Sequence, residues 1–370
     1  MARVLVTGGA GFIGSHVAAA LLERGDEVRV LASLHPQVHG PGGRPDYLTR
    51  EAELVVGDVR DRDCVRKALE DVDEVVHLTA RVGVGQSMYE IAEYTSVNAV
   101  GTAVLLEALL DHPVGRLVVA SSMSVYGEGL YVDEDGAPCA SAERTRAQLE
   151  RGEWEPTGAD GQVLVPVPTP ETKPVSLSSV YALNKFDQER LCLLFGAAYH
   201  VPTVALRFFN VYGPDQALSN PYTGVLAIFA SRLLNGRSPL IFEDGEQRRD
   251  FVSVHDVARA CALALRAEAA AGEVVNVGSG ESVSVNEIAS RLARILGAET
   301  LAPEVTGQYR VGDIRHCFAD VTRAKELLGF EPLVPMDEGM AELASWLEGR
   351  VALDQVDAAT AELRDRGLTV

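Results

Sequence analysis

Cysteine is sparse and scattered. The five cysteines, at 64, 139, 192, 261 and 317, form no C-x-x-C pair. That argues against a disulfide framework and against a thiolate zinc site, so no metal is expected. No apolar run reaches the ~18 residues of a membrane span, and no signal peptide precedes the first strand. A soluble, cytoplasmic protein with no membrane partner is expected. No stretch is low in complexity and no internal repeat is visible. Positive charge is in deficit: 33 Lys and Arg stand against 53 Asp and Glu, a net charge of -20. Nucleic acid is therefore excluded as a partner, although a local basic pocket is not.

What is present is a globular chain of 370 residues, 47% hydrophobic, long enough for one large domain or two. Its organising stretch is Tyr181-Ala182-Leu183-Asn184-Lys185. The run from Ser178 to Tyr199 reads as one helix, with Ser178 and Ser179 as N-caps and Leu191, Leu194, Phe195 and Ala198 as its apolar stripe. Residues four apart share a helix face, which puts the Tyr181 phenol beside the Lys185 ammonium. A free tyrosine titrates near ~10. A neighbouring cation favours the phenolate, and the pair then takes and returns a hydroxyl proton. Alone, Y-x-x-x-K is as readily a packed tyrosine with a solvated lysine.

Arg3 to Thr7 reads as a buried strand and Ser15 to Arg24 as a helix, with Gly8-Gly9-Ala10-Gly11-Phe12-Ile13-Gly14 between them. Glu27 to Leu31 is a second strand. Strand, glycine turn, helix and strand are the setting of a dinucleotide fingerprint, where backbone N–H groups at a helix N-terminus meet a pyrophosphate. One part is missing. The acid that grips the ribose of NAD would fall at Ala32. No arginine stands at that strand end; Arg44 is the nearest.

Glu53 to Val56 and Glu74 to Leu78 read as the third and fourth strands. Asp58 is either an adenine acceptor or the cap of a helix starting near Arg62. Residues 83–87 (GVGQS) are expected as a loop at the carboxyl edge of the sheet. Asn98 to Leu110 reads as a helix apolar on several faces, buried against the sheet or a second subunit. Arg116 to Ala120 is the fifth strand, running into Ser121-Ser122-Met123-Ser124-Val125-Tyr126-Gly127. Those hydroxyls either face the ligand crevice or cap a turn. Residues 128–174 show little periodicity and stand as a lid or a surface insertion. Thr203 to Phe208 is the sixth strand and Val225 to Leu234 a helix. Pro239 to Phe242, the Asp244-Gly245 turn and Gln247 to Ser253 suggest a strand that returns. His255–Arg266 and Ser284–Leu296 are two more helices. Arg232, Arg248 and Arg249 fall close together, which suggests a diphosphate site or a solvated face.

Together GGAGFIG (8–14), GDV (57–59), VNAVGT (97–102), SSMSVYG (121–127), YALNK (181–185), RFFNVYGP (207–214), RRDFVSVHDVA (248–258) and RVGD (310–313) resemble the extended short-chain dehydrogenase/reductase family, in its sugar-nucleotide epimerase and dehydratase branch. The resemblance implies an α/β fold: a Rossmann-type doubly wound parallel sheet with a smaller C-terminal substrate-binding domain. It places the NAD-binding domain at 1–210, carrying the 128–174 insert, with part of 239–260 open to returning to it. The nucleotide-sugar domain is 211–349 and a tail is 350–370. It implies Ser122, Tyr181 and Lys185 as catalytic residues. It implies Gly8, Gly11, Phe12, Ile13, Gly14, Asp58, Val59, Leu78, Thr79, Ala80, Asn98 and Ser121 around NAD, with Tyr181 and Lys185. Ser124, Asn210, Arg232, Arg249, Arg310 and Asp313 would line a dTDP- or UDP-linked sugar. Family members often dimerise through two helices, matched here by 98–110 and 179–199, so a homodimer is expected.

The resemblance also implies a first step that removes hydride from sugar C4. In the 4,6-dehydratases an acid pair follows the hydroxyl residue, and in the C4 decarboxylases a glutamate; here Met123 and Ser124 stand there, and neither is an acid or base at neutral pH. The reading is therefore an NAD-dependent 4-epimerase. A 4-keto-sugar reductase and a non-catalytic dinucleotide sensor are the alternatives. The phrases at 83–92 and 210–237 are most similar to enzymes of dTDP-L-rhamnose and dTDP-6-deoxy-L-talose, with a UDP-hexose as the other option. At a position that limits the sugar pocket in related epimerases stands Cys317, small enough to admit a bulkier sugar.

Overall fold

The computed structural model describes residues 1–40, 43–139, 143–216, 224–309, 313–348, 362 and 364–367. Seven short strands with near-continuous apolar runs form one parallel sheet. They are β1 (Arg3–Thr7), β2 (Glu27–Ala32), β3 (Glu53–Val56), β4 (Glu74–His77), β5 (Arg116–Ser122), β6 (Thr203–Phe208) and β7 (Val274–Val277). Their spatial order is β3-β2-β1-β4-β5-β6-β7. Strands this apolar need cover on both faces, which parallel connections through helices provide. On one face, Val4, Val6, Val30 and Val118 pack with Val17, Ala18, Leu21, Val257 and Cys261 of the helices Phe12–Glu23 and Val254–Ala264. On the other, Leu5, Val75 and Leu117 pack with Leu105, Leu109, Cys192 and Phe195 of the helices Gly101–Asp111 and Val180–Tyr199. Strand order reverses direction between β1 and β4, and ligands of open α/β sheets bind in the crevice beyond such a switch point.

Strand β7 was not expected from the sequence. It is short, interrupted by Asn276, and lies inside the 211–349 stretch. It pairs with β6, from Val274 opposite Ala205 to Val277 opposite Phe208. The second unit has its own core, built by Leu226, Phe229, Ile288, Leu292, Met340 and Leu343. The expected return of 239–253 on itself is not found. Leu240–Ile241 pairs with Glu304–Val305, Arg248–Arg249 with Val283–Ser284 and His316–Cys317, and Phe251–Ser253 with Asn210–Tyr212. The turn between them is held by Asn286, whose amide donates to Asp244 O and to Glu246, rather than by pairing of its own arms.

The described part of the 128–174 stretch is a folded element. Leu130–Val132 is the centre of a three-stranded antiparallel sheet, flanked by Pro138–Cys139 and Val165–Val167. Asp133 accepts from the N–H groups of Asp135 and Ala137 and closes the turn at Gly136, φ +76°. Strands of two or three residues, with Pro138 and Pro166 on the edges, leave almost no periodic signal. The element is riveted to the second unit by charge. Arg315, fully buried, binds Glu155, Glu243 and Asp244. Arg144 reaches Glu243 at 2.8 Å and Glu128 at 3.5 Å. The proposed tail, 350–370, lies almost wholly outside the described residues.

Candidate active site

The glycine turn is shaped by crowding. Gly8 has φ +70°, and a Cβ there would lie 2.9 Å from the Thr79 nitrogen. A Cβ on Gly14 would lie 2.4 Å from the Gly8 carbonyl oxygen. Leu78 and Thr79 thus form the opposite wall: Leu78 N–H donates to Thr7 O and Thr79 N–H to Thr7 Oγ1. The helix Phe12–Glu23 starts behind Gly11 with no side-chain cap, which leaves its first N–H groups aimed out of the turn. Phe12 and Ile13 are its first two residues. This cradle fits a dinucleotide pyrophosphate. At the end of β2, Ala32 is buried and is followed by Ser33. Arg44 is not available to that strand end, being hydrogen-bonded to the carbonyls of Thr49 and Ala52.

Ser122 is the last residue of β5, buried, and it caps a 3-10 turn over Met123–Tyr126. Its Oγ accepts from Ser124 N–H at 3.2 Å and lies 3.1 Å from Ser124 Oγ. Ser179 caps the long helix Val180–Tyr199, and the Tyr181 N–H donates to Ser87 Oγ at 3.1 Å. Ser87 ends a short helix, Val84–Ser87, where a loop was expected. The start of this helix packs against β5 and the turn that follows it, which brings the Tyr181 side chain beside Ser122. Burial raises the Tyr181 phenol above its ordinary value, and the Ser122 contact works the other way. The Lys185 ammonium, itself buried, donates to Gln188 Oε1 at 2.9 Å. Burial brings its pKa down to about 8.

The inward face of this helix is also not the stripe expected. Ala182, Lys185, Gln188, Glu189, Cys192, Phe195 and Gly196 point in, while Leu194 and Ala198 are exposed. The N-terminal half is polar inside because it abuts the site and the ends of β4 and β5. Glu189 binds Arg207 through both oxygens, at 2.9 and 2.7 Å, and Arg207 stacks over Tyr126. His77 bridges Thr7 and Thr102 at 2.7 and 2.9 Å. Gln188, His77, Thr102 and Glu189 were not singled out from the sequence. The i+3 and i+4 spacing of Gln188 and Glu189 from Lys185 is the signal that would have found them.

A scan against protein families matches residues 4–146 and 157–278 to the NAD dependent epimerase/dehydratase family. The chain belongs to this family. It is 38% identical to the dTDP-L-rhamnose 4-epimerase of Burkholderia thailandensis, over 93% of this chain and 94% of that protein. Among solved structures it is similar to the UDP-glucose 4-epimerase of Thermotoga maritima with UDP-glucose (TM-score 0.76, 32% identity, 93% of this chain and 98% of that chain). It is also similar to the Thermus thermophilus UDP-glucose 4-epimerase with NAD (TM-score 0.74, 32% identity, 94% of this chain and 100% of that chain).

Within this family fold, several of the expected site residues have partners of their own. Ser121 alternates with Ser122 along β5, so its Oγ points away and donates to Glu189 at 2.6 Å. Asn98 is fully buried and braces the loop after β4. It accepts from Arg81 N–H at 2.7 Å and donates to Arg81 O at 3.1 Å, which holds Ala80 in place from behind. Asp58 does not cap the next helix; Asp61 does. Asp58 instead holds Arg60, and its carboxyl is lowered by that bond. Val59 is buried against Gly101.

On the substrate side, Asn210 donates to Asp250 O at 2.9 Å. Arg249 donates to the carbonyls of Ile314 and Arg315 and pairs with Asp313 at 3.7 Å. Arg232 donates to Ser238 O, and Arg248, on the opposite side of its strand from Arg249, to Ser282. Arg310 lies outside the described residues. Met123 packs with Tyr126, Phe209 and Cys317. The space beside Cys317 is taken by Thr169 of the insert, 4.0 Å from its Sγ, and Gly129 backs onto its Cα. The small side chain is thus matched by inward packing of the insert. Among the described residues no group of three or more His, Cys, Asp or Glu is placed to hold a metal, and no helix is long and apolar enough to cross a membrane.

Proposed function

We propose that this chain is an NAD-dependent nucleotide-sugar 4-epimerase in which Ser122, Tyr181 and Lys185 act on the sugar C4 hydroxyl. The observation that carries the reading is the packing of the helix Val180–Tyr199 against the carboxyl end of β5, which sets Tyr181 beside Ser122 and one helical turn from a buried ammonium. Ser122 orients the hydroxyl, Tyr181 takes its proton, and Lys185 favours the phenolate. Gly8, Gly11 and Gly14 would hold NAD, which when bound would supply a reversible hydride acceptor. Asn210, Arg249, Arg310 and Asp313 hold the nucleotide diphosphate. The folded 128–174 element acts as a strap, because Arg144 donates to Asp313 O at 3.0 Å and so fixes one side of that pocket.

The similarity to the Burkholderia enzyme favours dTDP-L-rhamnose and dTDP-6-deoxy-L-talose as the pair, with UDP-hexoses as the comparison. The absence of acids at Met123 and Ser124 disfavours elimination across C5–C6. The deciding experiment incubates the purified protein with dTDP-L-rhamnose, UDP-glucose and dTDP-glucose and follows C4 by NMR. Inversion at C4 without net change of cofactor supports the reading. A 4-keto-6-deoxy product from dTDP-glucose, or inversion of none of these sugars, overturns it.

A homodimer through the two long helices is part of the same reading. Ile91, Val100, Leu183, Leu194 and Tyr199 are exposed apolar residues on helices that pack side by side. Leu194→Glu should convert a dimer into a monomer by light scattering; an unchanged mass removes this interface. Five free thiols suit a reducing compartment, the cytoplasm.

A further inference from the structure

Lys185 is a buried cation whose hydrogen-bond acceptor is neutral. Gln188, with no exposed surface, offers Oε1 to the ammonium at 2.9 Å. The orientation of this amide is fixed by its other end. Nε2 lies 3.1 Å from Thr79 O, which can only accept, and 2.9 Å from Thr102 Oγ1. The Thr102 hydroxyl donates to Asn98 O at 2.6 Å. Its oxygen is therefore left to accept, from Gln188 and from His77 Nε2 at 2.9 Å. That places the His77 proton on Nε2 and makes Nδ1 the acceptor of the Thr7 hydroxyl at 2.7 Å. The 3.3 Å approach of Gln188 Nε2 to His77 Nε2 then joins two donors and is no bond. A single ordered chain of neutral dipoles runs from the last residue of β1 through the last residue of β4 to the lysine.

We propose that Gln188 is a positioning residue for Lys185: its amide oxygen, locked by Thr79 and Thr102, fixes the ammonium and keeps it charged without a carboxylate partner. The proposal rests on the reading of Tyr181 and Lys185 given above. The titratable and charged groups around the ammonium are Tyr181, Glu189 and Cys192 on its own helix and His77 from β4. Glu189 is engaged by Arg207 of β6. Burial lowers Lys185, and Cys192 and Glu189 oppose that only in part. Protonated Lys185 is needed to hold a phenolate, so loss of its proton sets the high-pH limb of activity.

The test compares the full-length protein with Gln188→Met and Gln188→Glu. The Lys185 Cε resonance is followed by NMR in protein carrying 13C-lysine, assigned with Lys185→Met. Removing the acceptor should move the Lys185 titration down by about one pH unit, and a carboxylate should move it up by at least as much. The high-pH limb of kcat/KM should shift in the same two directions. A merely structural role would lower melting temperature or kcat and leave the titration where it is. Titrations that stay put, or that move the same way in both variants, overturn the proposal. If the methionine variant does not fold, the glutamate variant, close in shape, decides alone. If no sugar is inverted by the parent protein, the epimerase reading fails while the NMR titration still judges Gln188.

Discussion

The two dense polar clusters of this protein are built on opposite plans. Around Lys185 one cation sits among neutral partners: Gln188, Thr102, Thr7 and a histidine whose pKa burial holds down at about 3. Around Arg315 the groups are almost all charged. Arg315 and Arg144 are ringed by Glu128, Glu155, Glu243 and Asp244, and Glu155 also meets His316 at 2.9 Å. The hydrogen bonds and charges of His316 and Arg315 outweigh burial and hold Glu155 down at about 2. A web of paired charges fixes geometry, which suits a strap. A cation among dipoles is held in place but keeps a pKa of about 8, which suits proton traffic. Buried charge costs desolvation in both places, and what differs is whether the charge is left adjustable.

The sharpest way to break that contrast is at the tyrosine. Tyr181→Phe should lower kcat by about 10²–10⁴-fold, the range of a lost acid–base group. Cofactor should still be released on denaturation, measured by absorbance; near-normal turnover would remove the site. Arg315→Met should cost about 3–5 kcal/mol of stability, because it leaves Asp244 without its cation and Glu243 with Arg144 alone. Urea unfolding reads this, and a loss below about 1 kcal/mol would mean the strap is not held by charge.

His77 separates the clusters by pH. Its folded pKa, about 3, lies below the unfolded value of 6.5. The unfolded chain therefore takes up a proton that the folded one refuses. Stability is lost as pH falls from about 6.5 toward 3, by up to about 1.4 kcal/mol per unit from this group. Unfolding of the parent and His77→Gln at pH 7 and 5 should show a shallower slope in the variant; equal slopes would contradict the assignment. The smallest effect is expected at the cofactor. Ala32→Asp should raise affinity for NAD over NADP by roughly 2- to 10-fold, the worth of about one hydrogen bond, read by fluorescence titration.

The chemistry was more legible than the framework holding it. The glycine turn, Ser122, Tyr181 and Lys185 stand in short fixed spacings, and six of the seven sheet strands carry apolar runs that no other element explains. Residues whose partners are remote in the chain were not legible. Gln188 meets Thr79 and Thr102, and Arg315 meets residues 155, 243 and 244. Nothing local distinguishes such a glutamine or arginine from a solvated one. The side-chain partners of Ser121 and Asn98 were not legible for a related reason: motif membership gives position, while strand alternation and burial decide which way a side chain faces.

Strand β7 has a consequence for synthesis. The β6 edge is made by residue 208, yet the strand that covers it ends at residue 277. A chain emerging from the ribosome at about 5–20 residues per second carries that apolar edge unpaired for several seconds. Open edges of this kind recruit other strands. The nascent protein is thus a natural client for chaperones over that interval, and truncations between 208 and 274 should aggregate rather than yield a free-standing N-terminal half.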